Sequence, residues 1–211
     1  MSLGLYIFDL DGTLVDTRAD ITTAVNETLA FYGLAPRSME EVTGFVGDGV
    51  KKLVERCVED HHIDFEEASE RFNSFYWNHV VDKTSFYPGI PQTLEKLQGH
   101  HKAILTNKPY RFTKRIIDTL RLTDYFSLVV GGDSLESKKP SPAGIHYILD
   151  KLKAVPDRAV MIGDSKNDII PAKRAGVKCV FVTYGFRSIE EIRSLEPDYI
   201  ISRPTDLLDI I

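Results

Sequence analysis

Cysteine is scarce in this chain: Cys57 and Cys179 are the only two among 211 residues. Neither stands in a Cys-x-x-Cys pair or at zinc-ligand spacing, so the sequence offers no disulfide framework and no cysteine-built zinc site. Cys179 lies in the apolar run Lys178-Cys179-Val180-Phe181-Val182 and reads as a buried, inert thiol; such low cysteine use suits a reducing compartment. An excess of positive charge is also lacking. Lys and Arg number 26 against 31 Asp and Glu, a formal net charge of −5. That balance argues against nucleic acid or an acidic membrane surface as the main partner, while a small anionic substrate held by a local cation stays open. No apolar run approaches the ~20 residues of a membrane-spanning helix. The first run, Leu3 to Leu10, is short, has no basic lead and ends in acidic residues, unlike a signal peptide. The expectation is a cytoplasmic protein. What remains is an ordinary globular balance, 43% apolar and 27% charged, in a length that fits one large domain or a domain with a smaller insert.

Leu5-Tyr6-Ile7-Phe8 is a short apolar run that reads as a buried strand ending at Asp9. From about Thr17 to Asp82 the signals are helical only. Ile21, Val25, Thr28 and Tyr32 recur at helical spacing before Gly33, and Ser38 with Glu41 forms a capping-box pattern. Val50, Leu53, Val54 and Cys57 make a second stripe; Phe65, Ala68, Phe72, Phe75, Tyr76 and His79 make a third. From Phe86 onward strands and helices alternate: strands over 102–106, 128–131, 159–163, 179–183 and 199–201, helices over 109–120 and 142–152, and another ending near Gly176. This pattern predicts an α/β protein, a Rossmann-like three-layer core with a mostly parallel sheet, and an inserted all-helical domain after the first strand. In such sheets ligands bind beyond the C-terminal strand ends. The residues there are Asp9 and Asp11, Thr106 and Asn107, and Gly163-Asp164.

In Asp9-Leu10-Asp11-Gly12-Thr13, two carboxylates two apart in extended chain point to one side. Like charges so close resist joint ionisation. Either a hard divalent cation such as Mg²⁺ resolves the conflict, or one carboxyl keeps its proton and acts as a general acid. Taken alone, Thr106 fits a helix N-cap as well as a phosphoryl contact, Lys138-Lys139 fits a solvated pair, and Gly163-Asp164-Ser165-Lys166-Asn167-Asp168 fits an acidic loop.

Together these segments resemble the haloacid dehalogenase (HAD) superfamily. Asp9-Leu10-Asp11-Gly12-Thr13-Leu14-Val15-Asp16-Thr17 is similar to its first motif, Thr106 to its second, Lys139 in Lys138-Lys139-Pro140-Ser141-Pro142 to its third, and Gly163 to Asp168 to its GDxxxD fourth. The resemblance covers nearly the whole chain, with a type 1 helical cap over 16–82 and the catalytic core over 1–15 and 83–211. It implies Asp9 as nucleophile and Asp11 as general acid/base, Thr106 and Lys139 on the phosphoryl group, and Mg²⁺ held by Asp9, the Asp11 carbonyl, Asp164 and Asp168. The implied reaction is hydrolysis of a small phosphate monoester through an aspartyl-phosphate.

Val46-Gly47-Asp48-Gly49-Val50, Thr106-Asn107-Lys108-Pro109 and Gly131-Gly132-Asp133-Ser134 resemble the phosphoglycolate phosphatase branch, which implies 2-phosphoglycolate as substrate. Gly47 and Gly49, before a helix, would receive its carboxylate, with Asn107 and charge from Arg18, Lys51 or Lys52 in support. Rival readings are a nucleotide or sugar-phosphate phosphatase, a phosphosugar mutase, and a catalytically silent phosphate-binding module. The mutases of this family carry a His in the first cap helix that the stretch near Ile21 lacks, and Asp11 speaks against a phosphonate hydrolase or a dehalogenase. A monomer or homodimer is expected. His61-His62 and His100-His101 read as solvated surface, and Trp77 reads as cap packing with Phe72, Phe75 and Tyr76.

Overall fold

The computed structural model describes residues 4–58 and 62–210. Leu3, which begins the first apolar run, and His61 lie outside the described residues. The chain opens with β1 (Leu5–Phe8) and the two-residue β2 (Val15–Asp16), then four helices: α1 (Arg18–Phe31), α2 (Met39–Phe45), α3 (Val50–Cys57) and α4 (Phe65–His79). It returns through β3 (Ser85–Phe86) and continues α5 (Ile90–Lys96), β4 (His101–Leu105), α6 (Tyr110–Thr119), β5 (Leu128–Val130), α7 (Ala143–Leu152), β6 (Ala159–Gly163), α8 (Lys166–Arg174), β7 (Lys178–Val182), α9 (Ile189–Ile192) and β8 (Tyr199–Ile201).

The main sheet has six strands in the order β5-β4-β1-β6-β7-β8, and every neighbouring pair is parallel. Successive residues serve opposite faces, as the pleat requires. Tyr6 and Phe8, Val160 and Ile162, and Val180 and Val182 enter one hydrophobic cluster; Leu5 and Ile7, Ala159 and Met161, and Cys179 and Phe181 enter the other. The first cluster runs on into the helical insert through Ile21, Val25, Leu53, Phe72 and Tyr76. The fold is thus a three-layer α/β core with a helical cap. From β1 the chain crosses to β4 on one side and later to β6 on the other, so β1 stands at the topological switch point. Phe8 is in register with Ile104 and Ile162, which sets Asp9, Thr106 and Asp164 at one edge of the sheet.

Strands β2 and β3 pair antiparallel, Val15 with Phe86 and Asp16 with Ser85, at the two points where the chain passes between sheet and cap. The Asp20 carboxylate, 1% exposed, accepts from the Lys83 and Thr84 amides and the Thr84 hydroxyl at 2.7–3.0 Å, tying α1 to the returning strand. Two short strands and α5 were not expected from the sequence. Trp77 departs from its expected place: it is 42% exposed with the Arg115 guanidinium over its ring, while Phe72 and Tyr76 carry the packing. Both cysteines are free and buried, and burial pushes each thiol up to about 11.

Candidate active site

Asp9 follows β1 directly, its amide donating to Ile162 of β6 at 2.9 Å. Its Oδ1 accepts from the Leu10 amide at 2.7 Å and lies 2.9 Å from Lys139 Nζ. Both contacts fall on Oδ1. Burial raises the Asp9 carboxyl to about 7, Lys139 pulling it down and Asp168 pushing it up. Asp11 is turned elsewhere. Its Oδ1 accepts from the Thr17 hydroxyl at 2.7 Å, and both its oxygens lie 3.0 Å from Lys108 Nζ. Burial works against the Lys108 charge, but Asp11 and the Tyr76 phenol together outweigh it and hold the ammonium protonated. Thr106 is buried after β4, its hydroxyl accepting from the Lys108 amide at 3.2 Å. Asn107 donates to the carbonyls of Gly47 and Lys139, both at 2.9 Å.

Lys139 Nζ also lies 2.6 Å from Asp168 Oδ1, and its side chain is 1% exposed. The other Asp168 oxygen accepts from the Ser165 amide and hydroxyl, closing a capping box at the start of α8. Asp164 follows β6, and its Oδ2 accepts from the Phe186 amide at 2.6 Å. Burial first, then Asp168 and Asp9, push the Asp164 carboxyl well above its usual range. Asp9, Asp164 and Asp168 each offer one oxygen within 4.8 Å of the others. Three clustered carboxylates, of which Asp9 and Asp168 pair with Lys139, crowd a dry site, and a hard divalent cation with oxygen ligands fits that donor set. The cradle is shaped for closeness. A Cβ on Gly12, which has φ +80°, would stand 2.2 Å from Asp164 Oδ2, and one on Gly185 would stand 2.2 Å from Asp164 Cβ.

A cavity opens between this edge and the cap. Asp9, Asp11, Thr106, Asn107, Lys108 and Asp164 line it from the core; Ile21, Val46, Val50, Leu53, Phe72 and Tyr76 give it an apolar cap wall, and Gly47 and Gly49 line it as well. The other cap residues expected near substrate lie elsewhere. The Arg18 guanidinium makes two hydrogen bonds to Asp16, Lys51 pairs with Glu66 and Lys52 with Glu55, and none of the three lines the cavity. Lys138 does not join Lys139 at Asp9 but donates to the Asp48 carbonyl in the cap. Asn167 donates to Gly47 O at 3.1 Å and Asp48 Oδ1 at 2.8 Å; Arg187 donates to the carbonyls of Thr43, Gly44 and Val46. Four core side chains thus hold one cap segment, 43–48.

The sequence reading missed Lys108, Tyr76, Asn167 and Arg187. A signal existed for two of them: Lys108 is two residues past the Thr106 strand end, and Phe186-Arg187 come soon after β7.

A doubly wound parallel sheet with acidic residues at its switch point, roofed by a helical cap, defines a capped α/β hydrolase. Residues 6–182 match the model of the haloacid dehalogenase-like hydrolase family, and the chain belongs to that family. It is 37% identical to phosphoglycolate phosphatase 1 of Pseudomonas aeruginosa over 97% of this chain and 78% of that one. It is 39% identical to the phosphoglycolate phosphatase of Aquifex aeolicus, covering 97% and 95%. A crystal structure described as a predicted phosphoglycolate phosphatase from Haemophilus somnus superposes with a TM-score of 0.94 at 32% identity, covering 100% and 98% of the two chains.

Proposed function

We propose that this phosphoric monoester hydrolase cleaves 2-phosphoglycolate with Mg²⁺ through an aspartyl-phosphate on Asp9, in a reducing cytoplasm. The observation that carries the reading is the convergence of Asp9, Asp11, Thr106, Lys139, Asp164 and Asp168 on one sheet edge beneath the cap. The relatives' names support the substrate.

Asp9 Oδ2 attacks phosphorus, the bond to the bridging oxygen breaks, and Asp11, carrying the proton it took from water in the preceding turnover, gives that oxygen its proton. Asp11 then takes a proton from the water that attacks the acyl-phosphate, which returns Asp9 and releases phosphate. Lys139 offsets charge on Asp9 and on the phosphoryl oxygens, and Thr106 orients the group. Asp9, the Asp11 carbonyl, Asp164 and Asp168 would hold Mg²⁺, which supplies charge neutralisation to the phosphoryl oxygens when bound. We take 16–82 as the cap and 1–15 with 83–211 as the core, with Gly47, Gly49 and Asn107 lining the cavity between them. The paired strands β2 and β3 support that division. The cap's apolar wall keeps bulk water from the acyl-phosphate until the leaving group departs.

The test is phosphate release from 2-phosphoglycolate, sugar phosphates, nucleoside monophosphates and pyrophosphate, with Mg²⁺ and with chelator. Preference for 2-phosphoglycolate that chelation abolishes is expected; a preference for another ester discards the substrate, and full activity in chelator discards the metal. A second readout is thermal. Mg²⁺ at 100 times its Kd adds about 2.7 kcal/mol of stability. For a chain of this size that raises Tm by about 5–10 °C.

A further inference from the structure

The cavity has a phosphoryl end built by the core and an apolar wall built by the cap, yet 2-phosphoglycolate carries a second anion. Its carboxyl group is joined through one methylene to the bridging oxygen. A group that recognises that carboxylate therefore lies within a few ångströms of the residue that protonates the bridging oxygen. On the reading above, that residue is Asp11.

Lys108 Nζ stands 3.0 Å from both Asp11 oxygens, and its side chain is 6% exposed. Over it, at 4.8 Å, lies the ring of Tyr76 from α4 of the cap. Tyr76 is 1% exposed, and its hydroxyl, within reach of the Lys108 ammonium as a donor, finds no acceptor for its own proton among the described residues. A phenol buried without an acceptor is costly, and a bound acceptor removes the cost. Both residues line the cavity. Arg187 lines it as well, but its guanidinium is engaged by three cap carbonyls.

We infer that Lys108 and Tyr76 form a leaving-group subsite, one from the core and one from the cap, that binds the carboxylate of the substrate. The inference rests on the proposed reaction and names the groups that give it specificity. A carboxylate accepts from the Lys108 ammonium and the Tyr76 hydroxyl together, whereas an uncharged leaving group leaves the phenol proton without an acceptor and gains nothing from the cation. Because Tyr76 arrives with the cap, only closure completes the subsite, so recognition of the carboxylate favours the closed form.

The test compares 2-phosphoglycolate with ethyl phosphate, in which a methyl group replaces the carboxylate. The ratio of their kcat/KM values is measured in the wild type, Lys108→Met and Tyr76→Phe. It is expected to fall about 100-fold in Lys108→Met and about tenfold in Tyr76→Phe. Whatever Lys108 does for Asp11 acts on both substrates and cancels in the ratio. A ratio that stays within about threefold of wild type in both variants overturns the subsite. Tyr76→Phe keeps the ring and serves where Lys108→Met fails to fold. A wild type that cleaves ethyl phosphate but not 2-phosphoglycolate, or cleaves neither, overturns the parent substrate reading instead. Calorimetric titration of 2-phosphoglycolate with Mg²⁺ into Asp9→Asn and Asp9→Asn/Lys108→Met then decides the subsite: weakening by tenfold or more supports it, and equal affinities overturn it.

Discussion

Lys139 has almost no water around it and two carboxylates within 3 Å: Asp9 at 2.9 Å and Asp168 at 2.6 Å. Burial disfavours its charge, but the two partners hold it protonated, so the site keeps a fixed positive centre beside Asp9. Removing either end of such an arrangement is unsymmetrical. Lys139→Met leaves two buried carboxylates facing each other and is expected to destabilise the protein by about 3–5 kcal/mol, read as a drop in the chemical denaturation midpoint in chelator. Asp9→Asn removes one of three crowded carboxylates. It is expected to melt at or above the wild-type temperature in chelator while losing about 10⁴-fold or more in kcat. Near wild-type turnover in that variant would end the case for a nucleophilic Asp9, and a collapsed melt would show that its charge is structural.

At the scale of elements, the site is assembled by turns that follow strands, and their tolerance for change is small. Gly12 turns the chain after β1 with φ +80°, and its missing side chain makes room for Asp164 from the turn after β6. Gly12→Ala is expected to cost about 1–3 kcal/mol in strain and to weaken Mg²⁺ binding by about tenfold as Asp164 is displaced. Isothermal titration of Mg²⁺ measures this directly, and unchanged affinity would mean that Asp164 is not held where the glycine admits it. Such strand-end turns were readable in sequence because Asp9, Thr106 and Asp164 each follow an apolar run, and the helical stripes of α1, α3 and α4 were readable because each is eight residues or longer. Strands β2 and β3 were not, since two residues display no period. Helix α5 has seven residues and Pro91 in its first turn, too short for a periodic signal. Within Thr106-Asn107-Lys108-Pro109 nothing in the sequence marks Lys108 out. Its environment comes from Asp11, 97 positions away, and from Tyr76 of the cap, and no local pattern reports such a meeting.

Across the whole molecule, core and cap meet along residues 43–48, where Asn107, Lys138, Asn167 and Arg187 reach over from the core. Arg187 makes the widest contact, three carbonyls near the C-terminus of α2, where a cation also answers the helix dipole. Arg187→Ala is expected to shift the closed form by about 2 kcal/mol toward opening, roughly 30-fold in the equilibrium. Amide exchange over α2 and the loop that follows should quicken, KM should rise, and Arg187→Lys should recover part of both. Unaltered exchange in Arg187→Ala would mean that the other three residues suffice. The contacts to Thr43, Gly44, Val46 and Gly47, like that of Lys138 to Asp48, are made to main-chain oxygens, whereas Val46, Val50 and Leu53 present side chains to the cavity. Apart from the Asn167 contact to Asp48 Oδ1, the grip is therefore written in main-chain atoms and the cavity wall in side chains. Mutation can thus redraw the cavity wall while most of the main-chain contacts that hold the cap in place stay as they are.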